Sequence, residues 1–492
     1  MSDLLAQSPS VTTAAATERL SRRLKIVYGS GEWSLASFGT LRQIFYAIFL
    51  TDVVGLDPRL ASIAALIGIT WDALNDPIVG RLSDNLQTRW GRRRPFFLLF
   101  AVPFGLAFLL QWWAPPWNSQ LALLLTVMFA FMLCDTLQTL LAVPYHSLTA
   151  ELTDNYDERT RLAGYRMFFN LVASLATAVA APAIVDAVQA DGSTSQGGYL
   201  LTGAIFGTLA AIPFLLIFFT VRERAQPAPD SATAPPFAAT LRLAWRNIPF
   251  RFAAGLYLLN WITFDLVALM FPFFLVYWVA GGDLLASASV FGARLPLESA
   301  VLGLLLTTAV ITLPLWIWLA ARLGKQRAYA LGIGFWALIQ LLVFLVQPGQ
   351  VELVLGLAVL AGIGVSAAHV LPDAIFPDVV AWDELRTGQQ QTGIYYGLKN
   401  FGRKLTGALA NFLALQALGW AGYLSPGTGA TSFQQSESAL LAIRTLIGPG
   451  GALLLLAALL VVWRYPLTRE RHGRVVHLLE RRRQLARKRH TR

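Results

Sequence analysis

The stretch WDALNDP places Asp72, Asn75 and Asp76 three and four residues apart, a spacing that puts all three on one face of a helix. Two carboxylates so placed repel each other, and in a medium of low dielectric one of them takes up a proton unless a cation lies between them. A hard ion such as Na⁺ prefers oxygen ligands, by the same reasoning that applies to Ca²⁺ and Mg²⁺, and this face offers two carboxylates and an amide carbonyl. The chemistry expected here is capture of a small cation, with Asp72 and Asp76 as its metal-ion ligands and Na⁺ as the ion. The competing expectation is that both aspartates pair with the arginines of GRLSDNLQTRWGRRRPF and steady the end of the helix.

Such a site has a purpose only if the elements around it lie in lipid. Of 492 residues, 55% are apolar and 14% charged, and the mean hydropathy is +0.55. A water-soluble chain carries roughly a quarter charged residues, so a cytosolic enzyme is excluded. A spanning helix takes roughly 20 apolar residues, and apolar runs of that length predict helices near Trp33 to Leu50, Ala61 to Gly80, Phe96 to Trp113, Leu121 to Val143, Leu162 to Val188 and Leu200 to Val221. A second set follows near Phe252 to Val279, Ala300 to Ala321, Ala328 to Val346, Leu353 to Leu371, Gly393 to Leu418 and Leu440 to Trp463. Between the sets, AQPAPDSATAPPFAAT is too rich in Pro and small polar residues for a membrane helix and reads as a linker. The expected fold is therefore an all-α membrane protein of twelve transmembrane helices in two six-helix halves. Its expected divisions are an N-terminal segment (1–27), a first bundle (28–221), a linker (222–249), a second bundle (250–463) and a basic tail (464–492). The opening MSDLLAQSPSVTTAAATERL lacks the pattern of a cleavable signal, so the N-terminus is expected to stay. The lone Cys134 rules out a disulfide framework.

Orientation follows from the short loops that hold Lys and Arg. Both termini and alternate loops are basic, with Arg19, Arg22, Arg23 and Lys25, then Arg89 and Arg92 to Arg94, Arg159 and Arg161, Arg222 and Arg224, Arg242 and Arg246, and Arg322, Lys325 and Arg327. Both ends are expected in the cytoplasm, in a multi-pass protein of the plasma (inner) membrane. The net charge of +11 is then mostly topology. The tail ERRRQLARKRHTR is expected to stay solvated or to meet the anionic leaflet rather than nucleic acid. The expected partners are a small-molecule substrate and the bilayer, with the monomer as the working unit.

Corresponding loops in the two sets look alike, which points to duplication. RWGRRRPF lies where RLGKQRAY lies in the second set, and ELTDNYDERTRLAGYR where FPDVVAWDELRTGQQ lies, each of the latter pair after a helix-ending proline, Pro144 or Pro372. Duplicated halves place substrate sites at midplane between them, open alternately to either side. Charges inside a span cost roughly 2.5–3.5 kcal/mol each and so mark cavities or partners. Besides the aspartate pair they are Arg42, Asp135 and Arg166, then Asp265, His369, Asp373, Lys399, Arg403 and Lys404. His146 and His369 read as hydrogen-bonding residues at helix ends rather than proton relays. The expected gate is an ion-pair set on the basic side, formed by Asp84, Arg92, Arg93, Arg94, Glu151, Asp154, Asp157 and Arg161, with Asp378, Asp383, Glu384 and Arg386 in the other half.

TDVVGL, WDALNDPIVG, RWGRRRPF, VPYHSLTAELTDNYDERTRL and DELRTGQ together resemble the glycoside-pentoside-hexuronide:cation symporters, the melibiose-permease-like branch of the major facilitator superfamily. That resemblance implies a carrier coupled to Na⁺, Li⁺ or H⁺, with Asp72, Asn75, Asp76 and Thr139 as the cation site and no other cofactor. It places Arg166 and Lys404 on the substrate pathway, where Tyr145, His146, Tyr396 and Lys399 are further candidates. Two sugar-holding carboxylates of the melibiose permease fall on Ala36 and Ala142, and a neighbouring tryptophan falls on His146, so galactoside recognition of that kind is in doubt. The same fold includes sodium-dependent lysophospholipid carriers. The expected function is cation-coupled symport of a sugar or glycoside by alternating access, with an amphiphile carrier as the alternative and a non-transporting membrane sensor as the rival from another class. No nucleophile motif or metal-protease motif points to an enzyme.

Overall fold

The computed structural model describes residues 20–153, 156–223, 241–242, 244–387, 392–426, 430–467 and parts of 470–481. A short helix α1 (Arg22–Gly29) leads into α2 (Gly31–Ile48), followed by α3 (Pro58–Asn85), α4 (Arg94–Gln111), α5 (Gln120–Leu152), α6 (Tyr156–Ala190) and α7 (Ser195–Thr220). The second group comprises α8 (Ile248–Phe273), α9 (Leu297–Leu323), α10 (Lys325–Phe344), α11 (Val351–Thr387), α12 (Thr392–Trp420), α13 (Glu437–Thr445) and α14 (Gly451–Trp463). One hairpin, β1 (Ser287–Val290) and β2 (Ala293–Pro296), joins α8 to α9.

Among the described residues nine helices are long and apolar enough to cross a membrane. The long segments that fall outside this set are α2, α3 and α12. They carry Arg42, Asp72, Asp76, Arg403 and Lys404, the charges that lower a hydropathy average, and they are the helices that meet around the expected cation site. Three helices run further than the apolar runs implied. Helices α5, α6 and α11 continue through polar sequence to Leu152, from Tyr156 and to Thr387. Pro144 and Pro372, expected to end helices, lie inside α5 and α11. A proline removes one backbone hydrogen bond, and neighbouring helices and local adjustment absorb that loss in membrane helices.

Both groups repeat local detail. The first helix of each ends in a π-helical turn, Phe49–Val53 after α2 and Phe274–Val279 after α8. In the matching loops RWGRRRPF and RLGKQRAY, Gly91 and Gly324 both adopt positive φ, 105° and 88°, a conformation that glycine enters without steric cost. Helix starts are set by side-chain caps: Asp57 accepts from the Arg59 N–H ahead of Pro58, Asn247 from Phe250, and Ser436 from Ala439.

Between described residues, the hydrogen bonds and ion pairs that cross from one group to the other lie at midplane or at the arginine-poor end. At that end Ser299 donates to the Val179 carbonyl (2.8 Å) and Gln416 to the Ser62 hydroxyl (2.8 Å). Beside them Asp52, on the π-turn after α2, accepts hydrogen bonds from Thr51 (2.7 Å), from Tyr423 (2.6 Å) and from Tyr277 on the π-turn after α8. The seam is thus sealed at the arginine-poor face.

Candidate functional site

Helices α3 and α5 approach closely because residue 68 has no side chain. A Cβ there would lie 2.2 Å from the Phe131 ring. Trp71 adds a hydrogen bond to Thr136 (2.9 Å). Asp72, one turn after Gly68, is thereby brought against α5, with Thr139 Oγ1 3.5 Å from its Oδ1. Thr139 is buried at 1% exposure, and Asn75 at 8%. From the second group, Lys404 of α12 inserts its ammonium between the two aspartates, 2.6 Å from Asp72 Oδ2 and 2.5 Å from Asp76 Oδ2.

Family resemblance places Lys404 on the substrate pathway, apart from the cation site. The structure brings the two together. Among the described residues no three His, Cys, Asp or Glu side chains are arranged to hold a metal ion, and the positive charge between Asp72 and Asp76 is the lysine's own. The oxygens present, from two carboxylates with Thr139 and Asn75 adjacent, are nonetheless the donor set a hard monovalent cation needs. Asn75 also keeps a buried Nδ2 without a hydrogen-bond partner.

Asp72, Asp76, Thr139 and Lys404 line a cavity of about 480 Å³, whose lining also includes Arg42, Gln138, Asp265 and Arg403. Asp265 accepts from Arg403 at 2.6 and 2.9 Å and from Gln43 of the first group at 2.6 Å. Next to it, sharing Gln43, Gln138, His146 and Arg403, lies a cavity of about 430 Å³ with an apolar wall. Ala36, Leu175, Trp261, Phe264, Leu306 and Trp336 belong to that wall, and Glu32, His146 and Asn170 form its polar end. Behind this end Arg166 binds Glu32 through Nε (2.8 Å) and Nη2, and meets His146 Nδ1 at 2.6 Å.

Other candidate lining residues lie away from both cavities. Tyr145 is fully buried, and its hydroxyl donates to the Tyr28 carbonyl (2.9 Å) while Tyr28 donates to the Tyr145 carbonyl (2.8 Å). That exchange staples α1 to α5. Lys399 pairs with Asp373 (2.7 Å) over the rings of Tyr257, Phe376 and Tyr396, so Lys399 and Tyr396 form a cluster of their own.

The residues expected to form a gate pair within their own groups wherever their partners are described. Glu223 accepts from the N–H groups of Arg92 (2.6 Å), Arg93 (2.8 Å) and Arg94 (2.7 Å) at the start of α4, a carboxylate at the positive end of a helix. Arg93 donates to Ser83 (2.5 Å), Arg161 to Glu158 (2.8 Å), and Lys325 to Asp378 (2.7 and 2.9 Å). Arg386 lies 3.7 Å from Asp383 and donates to the Arg246 carbonyl (2.9 Å), and Glu384 is half-buried beside them. Asp154 and the side chains of Asp84, Glu151 and Asp157 lie outside the described residues.

Sequence reasoning missed Glu32, Gln43, Asp52 and Glu223. Asp52 and Glu32 sit near the ends of apolar runs, where a carboxylate reads as an ordinary flank, and Gln43 carries no charge to flag it.

Comparison with known proteins agrees with this architecture. Residues 27–469 match the family described as MFS/sugar transport protein. An uncharacterized symporter of Synechocystis sp. is 30% identical, over 96% of this chain and 99% of its own length. Sodium-dependent lysophosphatidylcholine symporters of Danio rerio (27% identical; 91% of this chain, 86% of theirs) and Homo sapiens (26%; 92% and 87%) are also similar. A bacterial homologue of the human drug peptide transporters superposes with a TM-score of 0.62 at 12% identity, covering 95% of this chain and 100% of its own, which speaks to the fold alone. With a family match across nearly the whole chain, apolar helices in number and a symporter as relative, the protein is a multi-pass membrane transporter, not an enzyme, and belongs to the MFS/sugar transport protein family.

Proposed function

We propose that this carrier couples Na⁺ entry to the movement of an amphiphile with an apolar chain. The observation that carries the coupling is Lys404, whose ammonium crosses the seam between the two helix groups to neutralise Asp72 and Asp76. An entering Na⁺ competes for the same carboxylates, so ion binding loosens a link between the groups. In return, any state in which the groups separate binds the ion better, as linkage requires. Asp72, Asn75, Asp76 and Thr139 are the proposed ion ligands, and the names of the sodium-dependent relatives support Na⁺ as the ion. The membrane potential adds about 2.3 kcal/mol per charge per 100 mV to accumulation.

The apolar wall of the 430 Å³ cavity supports an acyl chain as the part of the substrate it holds, and Glu32, Arg166, His146 and Asn170 at its end support a polar headgroup. Ala36 in that wall leaves no carboxylate for sugar hydroxyls. A sugar is the second reading, favoured by Gln43, Gln138 and Asp265 around the adjoining cavity. The rocking bodies are proposed to be 28–221 and 250–463, and the pairs around Arg92 to Arg94, Arg161, Asp378, Asp383, Glu384 and Arg386 are proposed to re-pair across the seam when the arginine-rich face closes. Loop charge supports a plasma-membrane carrier with both termini in the cytoplasm, and the seam between the two groups supports a working monomer.

The test is uptake into proteoliposomes under an imposed Na⁺ gradient, with radiolabelled lysophospholipids and sugars in parallel. Na⁺-driven lysophospholipid uptake that disappears in Asp72→Asn and Asp76→Asn is expected. Uptake of a sugar instead would reassign the substrate, and uptake still driven by Na⁺ in both variants would end the coupling scheme.

A further inference from the structure

The Lys399 ammonium sits in a cage. Its Nζ lies 2.7 Å from Asp373 Oδ1 and 5.3, 5.4 and 5.5 Å from the ring centroids of Tyr257, Phe376 and Tyr396. Aromatic faces attract a cation that has shed water, and a carboxylate supplies the counter-charge, so the same surroundings suit any organic ammonium. The cage adjoins the apolar cavity. Trp261, His369 and Arg403 line that cavity, and Tyr257, Asp373 and Lys399 each stand four residues from one of them, one turn nearer the arginine-rich face on α8, α11 and α12. The rings of Tyr257 and Trp261 are 6.0 Å apart, so wall and cage are continuous. Because the seal lies at the arginine-poor face, the cage is on the way out of the cavity.

The first helix group holds a counterpart. Counting seventeen residues back from the π-turn that starts at Phe49 reaches Glu32, and the same count back from Phe274 reaches Tyr257. Likewise Tyr145 follows Pro144, and Asp373 follows Pro372. Carboxylate and ring have therefore exchanged helices between the halves. In each, the cation comes from the next long helix and lies over the ring, Arg166 at 5.2 Å from Tyr145 and Lys399 at 5.3 Å from Tyr257. Arg166 is bound to Glu32, the polar end of the cavity, as Lys399 is bound to Asp373.

An ion pair opens without stranding a charge only if each member gains a new partner of opposite sign. The Asp373 side chain is 50% exposed, so this pair is accessible to exchange. A zwitterionic headgroup presents its ammonium to Asp373 and the rings and its phosphate to Lys399, satisfying both. An anionic headgroup meets Lys399 but also faces the Asp373 carboxylate, and a neutral one replaces neither partner.

We propose that the Lys399–Asp373 pair and its three rings form a second headgroup station, which receives a zwitterionic headgroup after it leaves Glu32 and Arg166. The inference rests on the reading of the protein as an amphiphile carrier, and it narrows the substrate class to headgroups that hold both an ammonium and an anion.

The experiment measures Na⁺-driven uptake into proteoliposomes of two lysophospholipids with the same acyl chain, one with a phosphocholine and one with a phosphoglycerol headgroup. Wild type is expected to favour phosphocholine in kcat/KM by about tenfold or more. Asp373→Asn is expected to remove most of that preference, by lowering phosphocholine uptake about tenfold while phosphoglycerol uptake holds or rises. Equal loss for both headgroups would show that the pair only clamps α11 to α12, and would overturn the proposal, as would an unchanged preference or a wild type that takes both equally. The Na⁺-dependent melting shift reports whether each variant is folded. Should Asp373→Asn fail to fold, Tyr396→Leu keeps the ion pair and is expected to reduce the preference about threefold, an unchanged preference again counting against the station. If wild type carries no lysophospholipid at all, the amphiphile reading falls and this inference with it; if it carries lysophospholipid and Asp373→Asn keeps the preference, only the station falls.

Discussion

Lys404 sits within 2.6 Å of Asp72 and 2.5 Å of Asp76 although 328 residues separate it from Asp76 in the chain. It is the fixed positive charge of a site whose carboxylates come from the opposite helix group. A lysine in that position is both a lock between the groups and a rival to any ion that enters.

Replacing Lys404 with Met should therefore cut both ways. Without Na⁺ the two aspartates lose their partner, and since the site is partly open to the cavity the stability loss is expected to be about 2 kcal/mol, below the full cost of an orphaned buried charge. With the rival gone, the Na⁺ half-saturation should fall, by about tenfold if Lys404 occupies the seat nine-tenths of the time. Melting temperatures with and without Na⁺ measure both, and an unchanged Na⁺ affinity would show that lysine and ion do not compete.

The clasp around Asp52 should govern opening at the arginine-poor face. Tyr423→Phe removes one hydrogen bond to a carboxylate, about 1.5 kcal/mol, which is about tenfold in the population of the open state. In a Ser299→Cys/Cys134→Ala background, whose reporter position is buried at 1% exposure and itself bonds across the seam, adding Tyr423→Phe should then speed reaction with a membrane-impermeant maleimide. An equal rate would mean the clasp bears no load.

Gly68 should not tolerate a side chain. In Gly68→Val the new atoms meet the Phe131 ring at 2.2 Å, and overpacking of this sort costs about 1–3 kcal/mol. Because Asp72 is one turn away, Na⁺ stabilisation should weaken beyond the loss in stability. Phe131→Ala in the same chain should restore part of both.

Filling the apolar cavity separates ion from substrate. Leu306→Trp narrows a wall of the cavity that Asp72 does not line, so Na⁺-dependent stabilisation should persist while uptake of long-chain lysophospholipid falls at least tenfold relative to a short-chain analogue, in line with differences of about 1.4 kcal/mol or more. Equal loss for both chain lengths would argue against an acyl chain in this cavity.

Outside the membrane, Glu158 accepts from Lys25 (2.7 Å) and Arg161 (2.8 Å), and the Lys25 ammonium holds its carboxyl below the usual glutamate range. A depressed native value means that the stabilisation is present above the pKa of the unfolded chain and is lost as pH falls through the native value. The melting-temperature gap between wild type and Glu158→Gln should be open at neutral pH and close in acid, below about pH 4. A gap that persists at pH 3 would point to packing rather than charge.

What the sequence determined by itself was whatever depends on local composition. Apolar runs near a bilayer's thickness placed the helices, loop arginines set the expected orientation, and the spacing of Asp72, Asn75 and Asp76 put three oxygen-bearing side chains on one face. Its limits were also local. Pro144 and Pro372 looked like helix ends because the sequence does not show the neighbours that carry a helix past a missing N–H, and nothing local reveals the exchange of hydrogen bonds between Tyr145 and Tyr28. Only the tertiary structure decided which distant charges meet: Lys404 with the aspartate pair, Arg42 with Asp135, Tyr277 and Tyr423 with Asp52. Pairings between helix groups depend on rotation about each helix axis and on depth along it, and those are set by packing such as Gly68 against Phe131, summed over the whole bundle, which no short stretch of sequence encodes.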